Sequence, residues 1–328
     1  MKAVVCTKYG PPDVLKVEDV ATPRPADDEV LIKVCAAAVN PLDSGMLQGP
    51  WIARLMSGAL FAPKYKILGA DVAGRIEAVG RLATKFKPGD EVYGGLFGGL
   101  FDAKGLGGFA EYVCAVEDRL ALKPVNQSFE QAAAIPVAAI TALQGLRDKG
   151  RIKQGQKVLI DGASGGVGTF AVQIAKAFGA EVTAVCSTRN VSTARSIGAD
   201  RAIDYSQEDF TKSGLRYDLI LAANAHHSIF DYRRALSRDG IFVMAGGGLG
   251  PMMQVFLLGP FLSRTGSLLA KINHADLVFL KDLVEAGKVV PVIDRRYPLS
   301  GVAEALRYLG EGHAQGKIVI AVVDAQSN

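Results

Sequence analysis

At 328 residues with 49% hydrophobic side chains, the chain exceeds what one hydrophobic core usually organises, so two globular domains are expected. A net charge of +4 with dispersed basic residues suits a small anionic ligand and excludes the clustered basic face that nucleic acid requires. No apolar run reaches the roughly 20 residues of a membrane span.

In chain order, the start at Met1-Lys2-Ala3-Val4-Val5-Cys6 runs into strand-like sequence without a basic-then-apolar leader, which points to a cytoplasmic location. Up to about Pro124, short β-branched runs (3–5, 29–34, 72–76, 91–93) are split by Gly, Pro and Asp, the texture of a compact β domain. Residues 129–146 are Ala-rich and are expected as helical packing that joins the domains. From about Gly155, strands at 157–160, 181–186, 201–205, 217–223 and 240–245 alternate with helical stretches, which implies a parallel sheet covered on both faces. The apolar run 251–262, broken by Gly259 and Pro260, is expected as a buried or subunit-contact segment. A helix (276–286), a strand (289–293), a helix (302–309) and a strand (317–323) complete the chain. Cys6, Cys35, Cys114 and Cys186 lie far apart without a C-x-x-C pair and are expected as reduced thiols.

The strand 157–160 enters Gly162-Ala163-Ser164-Gly165-Gly166-Val167-Gly168, and the helix 167–178 leaves it, which is the context a dinucleotide-binding turn requires. Gly165 lets backbone approach a pyrophosphate, Gly168 lets helix pack on strand, and the helix N-terminus favours the phosphates. An ordinary tight connection is the competing reading. An NAD site places Asp or Glu at the end of the second strand, some 20 residues on. This chain has Cys186-Ser187-Thr188-Arg189-Asn190 there. Ser187 and Thr188 can donate to a 2′-phosphate and Arg189 can pair with it, so NADPH is the expected cofactor.

These residues join Lys2-Ala3-Val4, Ala38-Val39-Asn40-Pro41-Leu42-Asp43, Gly69-Ala70-Asp71-Val72-Ala73-Gly74, Lys87-Pro88-Gly89-Asp90-Glu91-Val92, Gly108-Phe109-Ala110-Glu111-Tyr112 and His313-Ala314-Gln315-Gly316-Lys317-Ile318-Val319. Together they resemble the zinc-free quinone oxidoreductase branch of the medium-chain dehydrogenase/reductase superfamily. The resemblance implies an α/β chain: a GroES-like β-rich substrate domain from 1–124 and 272–328, a Rossmann doubly wound parallel sheet at 125–271, and a cleft at their junction. Zinc alcohol dehydrogenases of the superfamily place a cysteine ligand where Asn40 stands and Gly-His-Glu where Gly69-Ala70-Asp71 stands. No metal is expected, since His226 and His227 are adjacent and His274 and His313 isolated.

Without a Lewis acid, hydride is expected to go to a conjugated carbon of a quinone or α,β-unsaturated carbonyl, with donors aimed at the developing oxyanion. Asn40 is the first candidate donor, and Asp43 a candidate to orient it or a water; both also read as caps of the turn at Pro41. The resemblance implies further cofactor contacts from Thr141, Ser164 to Val167, Tyr205, Asn224, Gly246 and Gly247, with Lys317 near the 2′-phosphate. The loop Ala222-Ala223-Asn224-Ala225-His226-His227 departs from the small-residue loops of the family. Trp51, Phe61, Tyr65, Phe97 and Phe101 are candidate walls of a hydrophobic lid for a lipophilic quinone or enone, and core packing is the competing reading. Relatives commonly dimerise through the Rossmann domain, so a homodimer is expected. A second functional reading, an NADPH-binding protein with little catalysis, is separated from the first by turnover.

Overall fold

The computed structural model describes residues 1–49, 62–98 and 105–322. The chain divides into two units, one of Met1–Val137, Lys271–Glu285 and Ile293–Asn328, the other of Ala138–Ala270 and Ala286–Val292. The first unit carries β1 (Lys2–Val5), β2 (Lys16–Asp19), β3 (Glu29–Val39), β4 (Asp71–Val79), β5 (Glu91–Gly95), β6 (Tyr112–Val116) and β7 (Leu120–Leu122). The second carries β8 (Lys157–Asp161), β9 (Glu181–Cys186), β10 (Arg201–Asp204), β11 (Tyr217–Ala222), β12 (Leu236–Met244) and β13 (Thr265–Ser267). The chain then returns to the first unit with β14 (Ile293–Pro298) and β15 (Lys317–Ala321).

In the first unit one sheet runs β14-β15-β3-β4-β5-β7 with β6 also on β3, while β1 and β2 form a separate antiparallel pair. β3 is the axis. Val30, Ile32 and Val34 face a core with Val72, Ile76, Val92 and Leu120, whereas Ala37 and Val39 face another with Leu47, Leu68, Phe109, Leu306, Ile318 and Ile320. Register shifts at Leu31/Ile32 and Val34/Ala36 bend the strand between these two cores. β3 is antiparallel to both β4 and β15, so its C-terminal end meets their beginnings: Ala38 pairs with Asp71, and Val39 with Ile318. Topology thus gathers Asn40, Asp71 and Lys317 at one end of the sheet.

The second unit is a parallel sheet in the order β10-β9-β8-β11-β12-β13. Strands β8, β9 and β11 are buried almost throughout, as strands covered on both faces must be, which explains their mostly apolar sequence. Strand order reverses on either side of β8. In such sheets ligands bind outside the carboxyl ends of the strands at that switch point. The chain is therefore an α/β protein with a Rossmann sheet.

Two segments differ from the sequence expectation, and a third departs from one of its two readings. Residues 289–292 form no strand, because the amide of Gln173 takes both backbone groups of Val290, donating to its O at 3.0 Å and accepting from its N at 2.8 Å. The strand begins at Ile293 instead. The helical stretch 129–146 breaks into Phe129–Ala133 and Pro136–Gln144, since Pro136 brings no N–H to a continuous helix, and a wide turn follows over Gly145–Lys149. Residues 251–262, expected as a buried or subunit-contact segment, are largely exposed within the chain apart from Val255 and Gly259: the helix Leu249–Leu258 exposes Met252, Met253, Phe256 and Leu257, and Phe261 beyond it is 85% exposed, so burial within the chain does not account for the segment. No helix among the described residues is long and apolar enough to cross a membrane.

Gly168 shows how tightly the first helix of this sheet docks. A Cβ there would lie 2.1 Å from Gly162 O and 2.7 Å from Ala163 Cα, so backbone would have to move. Gly168→Ala is expected to cost about 1–3 kcal/mol of stability. Gly165→Ala, whose Cβ would meet nothing closer than Gly162 O at 3.6 Å, should melt within a degree or so of wild type. Thermal denaturation of the pair checks this, and an equal loss in both would mean that the turn is not packed as described.

Candidate functional site

The glycine turn closes on protein at both ends and opens in the middle. Gly162 adopts φ 79°, and a side chain there would strike Asn224 Cβ at 2.8 Å, so close approach to the neighbouring loop demands glycine. Ser164, Gly165, Gly166 and Val167 are half-buried, and Gly165 precedes the helix Gly166–Ala177 as its N-cap. The amides of a helix's first turn have no partner within the helix and carry its positive dipole end. Above Gly165 a Cβ would meet nothing closer than Gly162 O at 3.6 Å, so the space over this helix start is open.

Three loops lock together over the carboxyl ends of β8, β11 and β12. Ala223 N donates to Asp161 O at 2.8 Å, Ala225 N to Gly246 O at 2.9 Å, and Gly248 N to Ala225 O at 3.0 Å. Side chains at Gly246 or Gly247 would strike the backbone oxygens of Ala223 or Ala225 at 2.7 and 2.6 Å. Packing alone accounts for both glycines. Asn224, between them and the glycine turn, is exposed.

At the end of β9, Ser187 is half-buried and Thr188 and Arg189 are exposed. Buried Asn190 donates its amide to Ser187 Oγ at 3.0 Å, which leaves the Ser187 hydroxyl hydrogen to point elsewhere. Thr188 bonds Ser206 at 3.2 Å. Hydrogen bonds from Thr188 and Ser206 hold Asp204, on the neighbouring strand, below the usual carboxylate range, and Gln207 completes its shell. Asp204 is thus held by local donors, and Ser187-Thr188-Arg189-Asn190 after β9 contains no acid where an NAD site places one. Tyr205 follows and is 62% exposed. Thr141 lies in the second unit on the buried face of Pro136–Gln144.

The first unit holds a buried polar network centred on Asn40. Lys317, 3% exposed, donates from Nζ to Asn40 Oδ1 at 2.7 Å, Asp71 Oδ2 at 3.2 Å and Val39 O at 3.3 Å, so its three hydrogens find three acceptors. Asn40 Nδ2 in turn donates to Asp71 Oδ2 at 2.9 Å and Ala38 O at 3.3 Å. An ammonium can only donate and a carboxylate here accepts, which fixes which amide atom is oxygen. Asp71 Oδ1 accepts from Val137 N at 2.9 Å. Asp43, fully buried in the helix Pro41–Gln48, accepts from Asn40 N at 2.8 Å and Gly69 N at 3.0 Å.

This geometry changes what three sequence candidates can do. Asn40 has no spare hydrogen, since both of its amide N–H groups and its oxygen are engaged. Asp43 closes the turn at Pro41 and ties it to Gly69; it does not reach a side-chain amide. The ammonium of Lys317 is committed to its own sheet end, with nothing left over for a phosphate. Sequence reading missed Asp71 as a partner, naming it only within the segment where a zinc ligand is lost. The available signal was an acid and a lysine each standing directly before apolar residues at the start of a strand, Asp71-Val72-Ala73 and Lys317-Ile318-Val319. Among the candidate walls, Tyr65 packs against the second core and Phe97 is half-buried, whereas Trp51, Phe61 and Phe101 lie outside the described residues. No three His, Cys, Asp or Glu side chains among the described residues converge as a metal cage.

Burial pushes the Asp43 carboxyl up to about 7, with the Asn40 and Gly69 amides opposing. Below about pH 4 the group is neutral in both folded and unfolded chains and its burial costs nothing; as pH rises to about 7 only the unfolded chain ionises. Folding stability therefore falls across that window and levels off above it. Relative to Asp43→Asn, wild type should lose roughly 2–3 kcal/mol between pH 5 and pH 8 in urea denaturation. A pH-independent difference would contradict this assignment.

Two family models match the chain, an alcohol dehydrogenase GroES-like domain over residues 26–125 and a zinc-binding dehydrogenase domain over residues 197–320. The 2-methylene-furan-3-one reductase of Solanum lycopersicum is 38% identical, the alignment covering 98% of this chain and 79% of that protein. The chloroplastic NADPH-dependent alkenal/one oxidoreductase of Arabidopsis thaliana is 36% identical over the same shares. The quinone oxidoreductase structure from Coxiella burnetii superposes with a TM-score of 0.87 at 32% identity, covering 98% of this chain and 99% of that one. With a GroES-like first unit, a Rossmann second unit and full-length relatives of this kind, the chain belongs to the quinone oxidoreductase branch of the medium-chain dehydrogenase/reductase superfamily.

Proposed function

We propose that the protein is an NADPH-dependent oxidoreductase that reduces quinones or the C=C bond of α,β-unsaturated carbonyls. The observation that carries the reading is the glycine turn: closed by packing at Gly162 and Gly168, open at Gly165, and set at the switch point of the parallel sheet. NADPH, when bound, supplies the hydride. The amides and side chains of Ser164, Gly165, Gly166 and Val167 hold the pyrophosphate; Ser187, Thr188 and Arg189 hold the 2′-phosphate; Tyr205 flanks the adenosine; Asn224, Gly246, Gly247 and Thr141 border the remaining length. The relatives that act on alkenals, furanones and quinones support this substrate class.

The first unit supplies orientation. Lys317 and Asp71 hold the Asn40 amide in one rotamer, and its 3.3 Å bond to Ala38 O is the weakest in the set. A substrate carbonyl oxygen that gains charge is a better acceptor than that backbone oxygen and can displace it, so Asn40 serves as the donor with Asp43 fixing its backbone. Zinc plays no part in this proposal, because Asn40 stands at the place of a cysteine ligand and is bound to an ammonium, and Ala70 stands at the place of a histidine. Four free thiols fit a reducing compartment such as the cytoplasm. The exposed Met252, Met253, Phe256, Leu257 and Phe261, beside the edge strand β13, support a homodimer through the second unit.

The reading is tested by NADPH consumption over a panel of quinones and alkenals. Turnover with NADPH at least tenfold more efficient than with NADH is expected, narrowing in Arg189→Ala, while Asn40→Ala loses kcat and keeps its NADPH affinity. Binding of NADPH without turnover of any acceptor would leave a cofactor-binding protein, and preference for NADH would overturn the 2′-phosphate assignment.

A further inference from the structure

The second unit contains a buried polar pair that the nucleotide contacts do not use. Asp161, the last residue of β8, stands immediately before the glycine turn and is 7% exposed. Its Oδ2 accepts from Tyr232 Oη at 2.5 Å, and the Tyr232 oxygen accepts from His226 N at 3.2 Å. Tyr232 is completely buried. Its ring stacks on Phe242 with centroids 4.5 Å apart and meets His227 edge-on at 5.8 Å, while Phe210 meets His227 at 5.0 Å. The hydroxyl is therefore held in place from all sides and joins two segments far apart in sequence, the end of β8 and the loop after β11.

That loop contains the His226-His227 pair which departs from the family pattern, and the structure gives the departure a use. Asn224 presses on Gly162, and Ala225 carries the loop that starts at Gly246. Fixing the backbone at His226 consequently fixes one wall of the glycine turn. Asp161 fixes its first residue from the other side. A carboxylate buried with few donors is costly to leave unmatched, and burial does raise the Asp161 carboxyl. The chain is thus obliged to keep the turn and the loop in register as long as the Tyr232 hydroxyl is present.

We propose that Tyr232, acting through Asp161 and His226, is a positioning residue for the dinucleotide: it braces the glycine turn against the loop after β11 and so presets the pyrophosphate cradle. The proposal rests on the reading of that turn as the NADPH site. Tyr232 touches no ligand and takes no part in hydride transfer; its effect is on cofactor affinity.

The test measures the NADPH Kd by the quenching of intrinsic fluorescence, together with kcat at saturating NADPH, for wild type, Tyr232→Phe, Asp161→Asn and the double variant. Tyr232→Phe is expected to bind NADPH about tenfold more weakly with kcat within twofold of wild type, as for loss of one hydrogen bond to a buried charge. Asp161→Asn keeps an acceptor for the hydroxyl and should stay within about threefold of wild type. In that neutral background the further loss on removing the hydroxyl should shrink, because no charge is left unmatched. An unchanged Kd in Tyr232→Phe, or the same loss in both backgrounds, overturns the brace. Should Tyr232→Phe not fold by circular dichroism, Asp161→Ala reads the link from its other end, and an unchanged Kd there defeats the proposal equally. Wild type that binds no NADPH would instead defeat the cofactor reading, which keeps the two failures apart.

Discussion

A lysine ammonium taken out of water is the constraint around which the first unit is arranged. Leaving such a charge uncompensated would cost several kcal/mol, so every hydrogen of Lys317 must find an acceptor and a counter-charge must lie beside it. The sheet provides both by geometry. Antiparallel pairing of β3 with β4 and β15 brings the end of one strand to the beginnings of two, so Val39 O, Asn40 Oδ1 and Asp71 Oδ2 converge on one point. Asp71 then reaches Val137, and Asp43 reaches Gly69. Four separate stretches of backbone are tied to one buried charge.

The second unit solves a different problem. Its glycine turn, proposed above to hold the phosphates, needs backbone amides to be available for that role, so it cannot consume them in its own packing. Glycine does this work by position: Gly162 and Gly168 let the surrounding chain close in, and Gly165 leaves room above the helix. The rigidity that glycine gives up is restored from outside, through backbone bonds among the loops after β8, β11 and β12 and through the Tyr232 hydroxyl. In one unit a charge organises the backbone; in the other the backbone is organised so that it can meet a charge.

Much of this was legible in the sequence where a local pattern has a local cause. The alternation of apolar strands with helices after Gly155, and the glycine spacing between strand and helix, follow from rules that act over a few residues. The network at Asn40 was less legible because its members are 31 and 277 residues apart along the chain and meet only through strand pairing. The chemistry of Asn40, and the family resemblance at Lys317, suggested donors to a ligand; the fold spends those donors internally. Short strands such as β7 and β13 were missed because three residues carry no periodicity, and 289–292 was misread because the Gln173 amide satisfies a backbone that would otherwise want a strand partner.

The Gln173 clamp on Val290 also bears on how the gene can be cut. The chain passes between units at 137/138, 270/271, 285/286 and 292/293, so neither unit is a continuous stretch. A cassette ending at residue 270 would carry nearly all of the Rossmann unit but take both Val290 backbone groups from Gln173, leaving its amide only Thr169 O on its own, largely buried helix. Recombination that exchanges cofactor specificity among relatives must therefore carry two pieces of chain, or retain the small returning segment from the recipient. The units are separable as shapes but interleaved as heredity.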